Sequence, residues 1–171
     1  LVLIPLVVVA VLWLPTAGFA LLFAAFALLG ALEWCRVGQL PKGLHHGFVG
    51  AVALCLVVIY FTIQSALVLQ SVLLVAAAWW SLALFAVLAQ QRGVALHCFD
   101  GGAARIAAGG LTLVPAWASL VWLHQYRPTM VLFVLVLIWV ADSAAFFVGR
   151  RFGRHKLASR VSPGKSLEGV A

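Results

Sequence analysis

Six apolar runs, each approaching the length of a membrane-crossing helix, constrain this chain more than any other feature. A helix needs about 20 apolar residues to traverse a hydrocarbon core about 30 Å thick, and shorter runs serve when flanking side chains reach the interface. The runs fall at Leu1–Leu14, Ala17–Leu32, Phe48–Ile63, Leu67–Ala89, Ile106–Leu123 and Thr129–Val148. Between them lie Pro15-Thr16, the polar stretch Glu33–His46, Gln64-Ser65, the stretch Gln90–Arg105 and His124–Pro128. With 65% apolar and 9% charged residues, the chain could not clothe a water-soluble domain, so lipid is its main solvent. The expected fold class is all-α: a polytopic transmembrane helix bundle of about six spans.

Charge gives the bundle a direction. Arg36, Lys42, Arg92 and Arg105 fall in the two long connections, and Arg150, Arg151, Arg154, Lys156, Arg160 and Lys165 fall in the tail, whereas Arg127 alone lies opposite. The positive-inside rule then puts the long loops and the tail in the cytoplasm. Residues 1–148 read as the transmembrane region and 149–171 as a cytoplasmic basic segment that opens a catalytic region. A net charge of +7 invites a nucleic-acid reading, but phosphate-backbone binding needs a soluble basic face, so no nucleic-acid partner is expected. Cys35, Cys55 and Cys98 are scattered and form no CxxC pair, which leaves them as packing or loop residues. The chain opens inside an apolar run and closes directly after a dense polar motif, so both ends are expected to be cut from a longer protein.

Asp142 stands inside the last run, where a carboxylate costs about 2.5–3.5 kcal/mol on insertion scales. Either a neighbouring helix or an arginine such as Arg105 compensates it, or it faces a water-filled cavity as a site residue; the second reading is preferred. Ala141, Ala145 and Gly149 recur every fourth position on the same run and suit close helix packing. Then come Gly149-Arg150-Arg151-Phe152-Gly153-Arg154-His155-Lys156-Leu157 and Ser162-Pro163-Gly164-Lys165-Ser166-Leu167-Glu168-Gly169. The glycines permit close backbone approach, and the cations and hydroxyls supply donors suited to phosphate oxygens. A purely topological basic flank would not need Ser162, Pro163, Gly164, Ser166 or Glu168. Gly164-Lys165-Ser166 is not a P-loop, because Ser159 occupies the position of that motif's first glycine and no apolar strand precedes it. His45, His46, His97 and His124 lack ligand spacing, Asp100 reads as a turn residue, and Glu33 reads as a solvated interface residue.

The run Trp139–Gly153, followed by Lys156-Leu157 and Ser162–Gly169, resembles the central region of the phosphatidate cytidylyltransferases, the CDP-diacylglycerol synthases. Glu33-Trp34 after the second run is similar to a feature of the same family. The resemblance implies a Mg2+-dependent transfer of a cytidylyl group from CTP to phosphatidic acid, giving CDP-diacylglycerol and pyrophosphate. It implies Asp142 and Lys165 as catalytic residues and Ser162, Ser166, Lys156 and Arg150 as phosphate-binding residues. Gly149, Gly164 and Glu168 are implied as structural support. The family's second acidic signature, expected to supply metal ligands, would lie beyond Ala171, so these 171 residues are expected to be inactive alone. The inner membrane of a bacterium is the expected location, surrounding membrane lipids are expected partners, and a homodimer is a candidate assembly. Two other readings stay open: a transporter or flippase in which Asp142 carries an ion, and a lipid kinase that uses CTP as phosphoryl donor.

Overall fold

Proline decides where three of the helices begin. The computed structural model describes residues 3–94, 101–153, 156–158 and 162–166. α1 (Leu3–Trp13) stops just before Pro15, which has no N–H to extend the ladder and whose φ of −62° and ψ of 154° make it the extended N-cap of α2 (Thr16–Val37). Pro41 plays the same part for α3 (Lys42–Thr62). After α4 (Ala66–Gln91) and α5 (Gly102–Tyr126), Pro128 opens α6 (Pro128–Phe152) at the position where a missing donor is harmless. An antiparallel ribbon of β1 (Lys156–Ala158) and β2 (Ser162–Ser166) follows.

Five helices, α2 to α6, are long and apolar enough to cross a membrane, while α1 is apolar but only 11 residues long. The all-α, membrane-spanning class read from the sequence is borne out, and the ribbon is an addition to it. Helix ends overrun the apolar runs: α3 starts at Lys42 rather than Phe48, and α6 continues beyond Val148 to Phe152. Hydropathy marks where hydrocarbon stops, whereas the backbone ladder persists into water until a cap or a proline ends it. The stretch Glu33–His46 therefore contracts to a turn at residues 38–41.

That turn and the end of α4 use one device. The Gln39 N–H donates to Arg36 O (3.1 Å) and the Leu40 N–H to Cys35 O (3.0 Å), with Gln39 left-handed at φ 50°. The Gly93 N–H donates to Gln90 O (3.1 Å) and the Val94 N–H to Ala89 O (3.0 Å), with Gly93 at φ 84°. Both are Schellman caps, but only the second has glycine at the left-handed position.

The chain divides into two compact units, Leu1–Ser81 with His97–Val131, and Leu82–Leu96 with Leu132–Ala171. In the first, α2, α3 and α5 pack on one another. Phe19, Ala20, Ala31 and Cys35 of α2 are buried with Phe48, Val52 and Leu56 of α3 and Trp117, Ala118 and Val121 of α5. Small residues on α2 and α5 let the backbones approach, and the Trp117 indole donates to the Ala20 carbonyl at 3.0 Å. Across α4 only Ala89 is buried, and across α6 only Val131; most of their large apolar side chains, among them Leu74, Phe85, Phe133 and Val140, are exposed, as suits lipid.

Candidate functional site

The sequence-predicted site residues fall on the second unit. Asp142 is exposed on α6. Seven residues on, about 10 Å along the axis and on the same helix face, comes half-buried Gly149. Its carbonyl accepts from the Gly153 N–H at 3.1 Å, which closes the last turn. Arg150 and Arg151 occupy that turn, where the helix dipole favours cations, and the Arg151 guanidinium lies over the Phe152 ring at 5.6 Å. α6 thus carries an acidic group in its apolar part and ends in a cationic turn.

The ribbon follows after a short gap. Its register sets Lys156 opposite Ser166 and Ala158 opposite Ser162, with an irregularity between the two pairs. Paired Cα atoms in such a ladder are about 4.5–5.5 Å apart, so the pairing brings the backbone of Lys156 beside that of Ser166 and its neighbour Lys165. Gly164, Lys165 and Ser166 lie in a strand rather than in a loop opening a helix, which agrees with rejecting a P-loop. Glu168 lies outside the described residues, as do His97, Cys98 and Asp100.

The other polar residues have local tasks. Glu33 accepts from Arg36 at 2.6 Å in an exposed pair, the one salt bridge among the described residues. His45 bonds to Leu40 O at 2.9 Å and His46 is exposed. Cys35 is buried and Cys55 exposed, both free. No group of three or more His, Cys, Asp and Glu side chains is placed to hold a metal among the described residues.

Two arrangements were not legible in the sequence. At the C-terminal end of α2, the Trp34 indole donates to Arg105 O (2.8 Å) and the Arg105 guanidinium donates back to Gly38 O (2.9 Å). Gly109 lies directly under the Trp34 ring and beside Phe48. A cleft of about 160 Å³ opens there, lined by Trp34, Val37, Gly38, Ala104, Arg105 and Ala108. At the other end of α2, buried His124 stacks on Phe19 (4.1 Å between centroids). Its Nε2 is 2.9 Å from Val11 O, an acceptor, so Nε2 carries the proton; Nδ1, 3.2 Å away, then accepts from the Thr16 hydroxyl. Val11 O needs this donor because the residue four positions on is Pro15. Glu33-Trp34 and the pair Gly109-Gly110 were the available signals for the first arrangement, but nothing in the sequence joins them.

A multi-span membrane protein with a cation-rich segment after an acidic helix is the class this arrangement defines. The model of a cytidylyltransferase family matches residues 1–171, and the chain belongs to that family. It is 40% identical over 173 residues to a phosphatidate cytidylyltransferase of Pseudomonas aeruginosa, covering 99% of this chain and 62% of that protein. It is 32% identical over 169 residues to one of Haemophilus influenzae, covering 89% of this chain and 58% of that protein. A stretch of 39 residues is 56% identical to part of one from Thermotoga maritima, 23% of this chain and 14% of that protein. The chain therefore spans about three fifths of the length of the first two relatives. No solved structure matches it.

Proposed function

We propose that this chain serves the transfer of a cytidylyl group from CTP to phosphatidic acid, giving CDP-diacylglycerol and pyrophosphate. One observation carries the reading: in a member of the cytidylyltransferase family, Asp142 on α6 precedes a cationic turn at Arg150-Arg151 and a ribbon that pairs Lys156 with Ser166. The name carried by the relatives from Pseudomonas aeruginosa and Haemophilus influenzae supports the same reaction.

In that reaction an oxygen of the lipid phosphate attacks the α-phosphorus of CTP. The bond from that phosphorus to the oxygen bridging to the β-phosphate breaks, and pyrophosphate leaves with the electron pair. The physical difficulty is bringing two polyanions together, which fixed cations must offset. Lys165 is assigned to the reacting phosphates, with Lys156 and Arg150 supplying further charge and the hydroxyls of Ser162 and Ser166 donating hydrogen bonds. Gly149, Gly164 and Glu168 are assigned to structural support of this segment, the glycines by permitting close approach of neighbouring groups. Asp142 is assigned to orienting a cation or a bound water.

Mg2+ belongs to the proposal. Asp142 has no salt-bridge partner among the described residues, and its hard oxygen fits one position around an ion that takes one or two carboxylates and fills its shell with water and phosphate oxygens. When bound, the ion would offset triphosphate charge. The inner membrane of a bacterium, with the cationic connections facing the cytoplasm, is the proposed setting, supported by the strong charge asymmetry of the loops.

Neither a transporter nor a CTP-dependent kinase gains support from a relative. Label position separates all three in the full-length protein. CTP labelled at the α-phosphate is expected to pass label into lipid, and CTP labelled at the γ-phosphate is not. Transfer of γ-label would mark a kinase, and transfer of neither would remove the enzymatic reading.

A further inference from the structure

We propose that the cleft at the C-terminal end of α2 binds an anionic phospholipid, with acyl methylenes in the cleft and the phosphate against Arg105. The inference rests on the membrane-spanning class and not on the reaction proposed above. α2 is 22 residues long, about 33 Å, so Trp34 to Gly38 stand at the depth where a hydrocarbon core of about 30 Å gives way to headgroups. Indole and guanidinium groups both favour that depth. The cleft lining is almost wholly apolar, its volume of about 160 Å³ is similar to a cavity that takes a benzene-sized apolar guest, and the Arg105 guanidinium stands at its edge, bonded to the carbonyl of the lining residue Gly38.

Charge at this end selects the headgroup. The one carboxylate among the described residues at the α2 end, Glu33, is taken by Arg36. Arg105 spends one N–H on Gly38 O, and its cationic head is thereby fixed at the cleft rather than free to swing into water. Exposed Lys42 follows four residues after Gly38 and adds a second cation. An apolar slot between membrane helices with a fixed guanidinium and a nearby lysine suits a lipid phosphate better than a zwitterionic headgroup, whose own ammonium would meet those cations. A free phosphate ion would leave the apolar slot unfilled, so a lipid is the occupant.

Native mass spectrometry of the full-length protein in mixed micelles, with phosphatidylglycerol and phosphatidylcholine at equal amounts, tests this. The wild type is expected to retain phosphatidylglycerol preferentially, and millimolar inorganic phosphate is expected not to displace it. Arg105→Gln should lower that retention about fivefold, the effect of one interfacial cation. Because Arg105 also ties Gly38, Ala108→Leu provides a second variant: it leaves the cations intact, fills the slot and should lower retention similarly. Arg105→Lys, which keeps the charge, should restore most of the preference. Equal retention of both lipids by the wild type, wild-type retention by Ala108→Leu, or displacement by inorganic phosphate would each overturn the proposal.

Discussion

Gly109→Ala is the substitution whose effect follows most directly from the packing. A Cβ at residue 109 would lie 2.6 Å from both Cδ1 and Nε1 of Trp34 and 2.8 Å from Cζ of Phe48. Ordinary contact begins near 3.4 Å, so a ring or the helix must yield by about 0.8 Å. Trp34 cannot yield freely, because its indole is bonded to Arg105 O at 2.8 Å. Overpacking of this kind costs about 1–3 kcal/mol, and loss of the indole bond adds about 1 kcal/mol. Helix propensity returns about 1 kcal/mol, which leaves a net loss of about 2 kcal/mol. Gly110 is the internal control, since a Cβ there meets nothing within 4 Å. Thermal unfolding in detergent should show a Tm several degrees lower for Gly109→Ala and an unchanged or higher Tm for Gly110→Ala. A Tm for Gly109→Ala equal to or above that of Gly110→Ala would refute the close approach of α5 to Trp34.

Two further substitutions probe the helix ends. His124→Phe keeps a ring against Phe19 but strands Val11 O, whose helical donor Pro15 lacks, and should cost about 1–3 kcal/mol in the same unfolding assay. Gln39→Gly removes the left-handed strain at φ 50° and should raise stability by about 1 kcal/mol, whereas Gly93→Ala, at φ 84° in the sister cap, should lower it.

The sequence carried the spans because apolar length is a one-dimensional property, and it carried the starts of α2 and α6 because proline acts locally at Pro15 and Pro128, whereas Pro41, which opens α3, went unread inside the polar stretch Glu33–His46. It misplaced the helix ends because caps are set by backbone bonds: glutamine at position 39 gives no hint of a left-handed residue. Asp142 was legible as an anomaly, a carboxylate where apolar residues belong. The link between Trp34 and Arg105 was not, since 71 residues separate them and neither motif names the other. His124 reads as an idle loop histidine because its partner, the Val11 carbonyl, belongs to the backbone and has no residue type to read. The pairing of Lys156 with Ser166 was hidden for a similar reason: a glycine- and proline-containing segment gives no alternating apolar pattern from which to read a strand.

The central claim is that Asp142 and the cationic segment after α6 handle phosphates together, and α-labelled CTP incorporation into lipid by full-length Asp142→Asn and Lys165→Ala proteins tests it most directly. Asp142→Asn should fold with a Tm near that of the wild type, because Asp142 is exposed and makes no ion pair among the described residues, and each variant should lose about a hundredfold or more in turnover. Wild-type incorporation by both variants would contradict the claim.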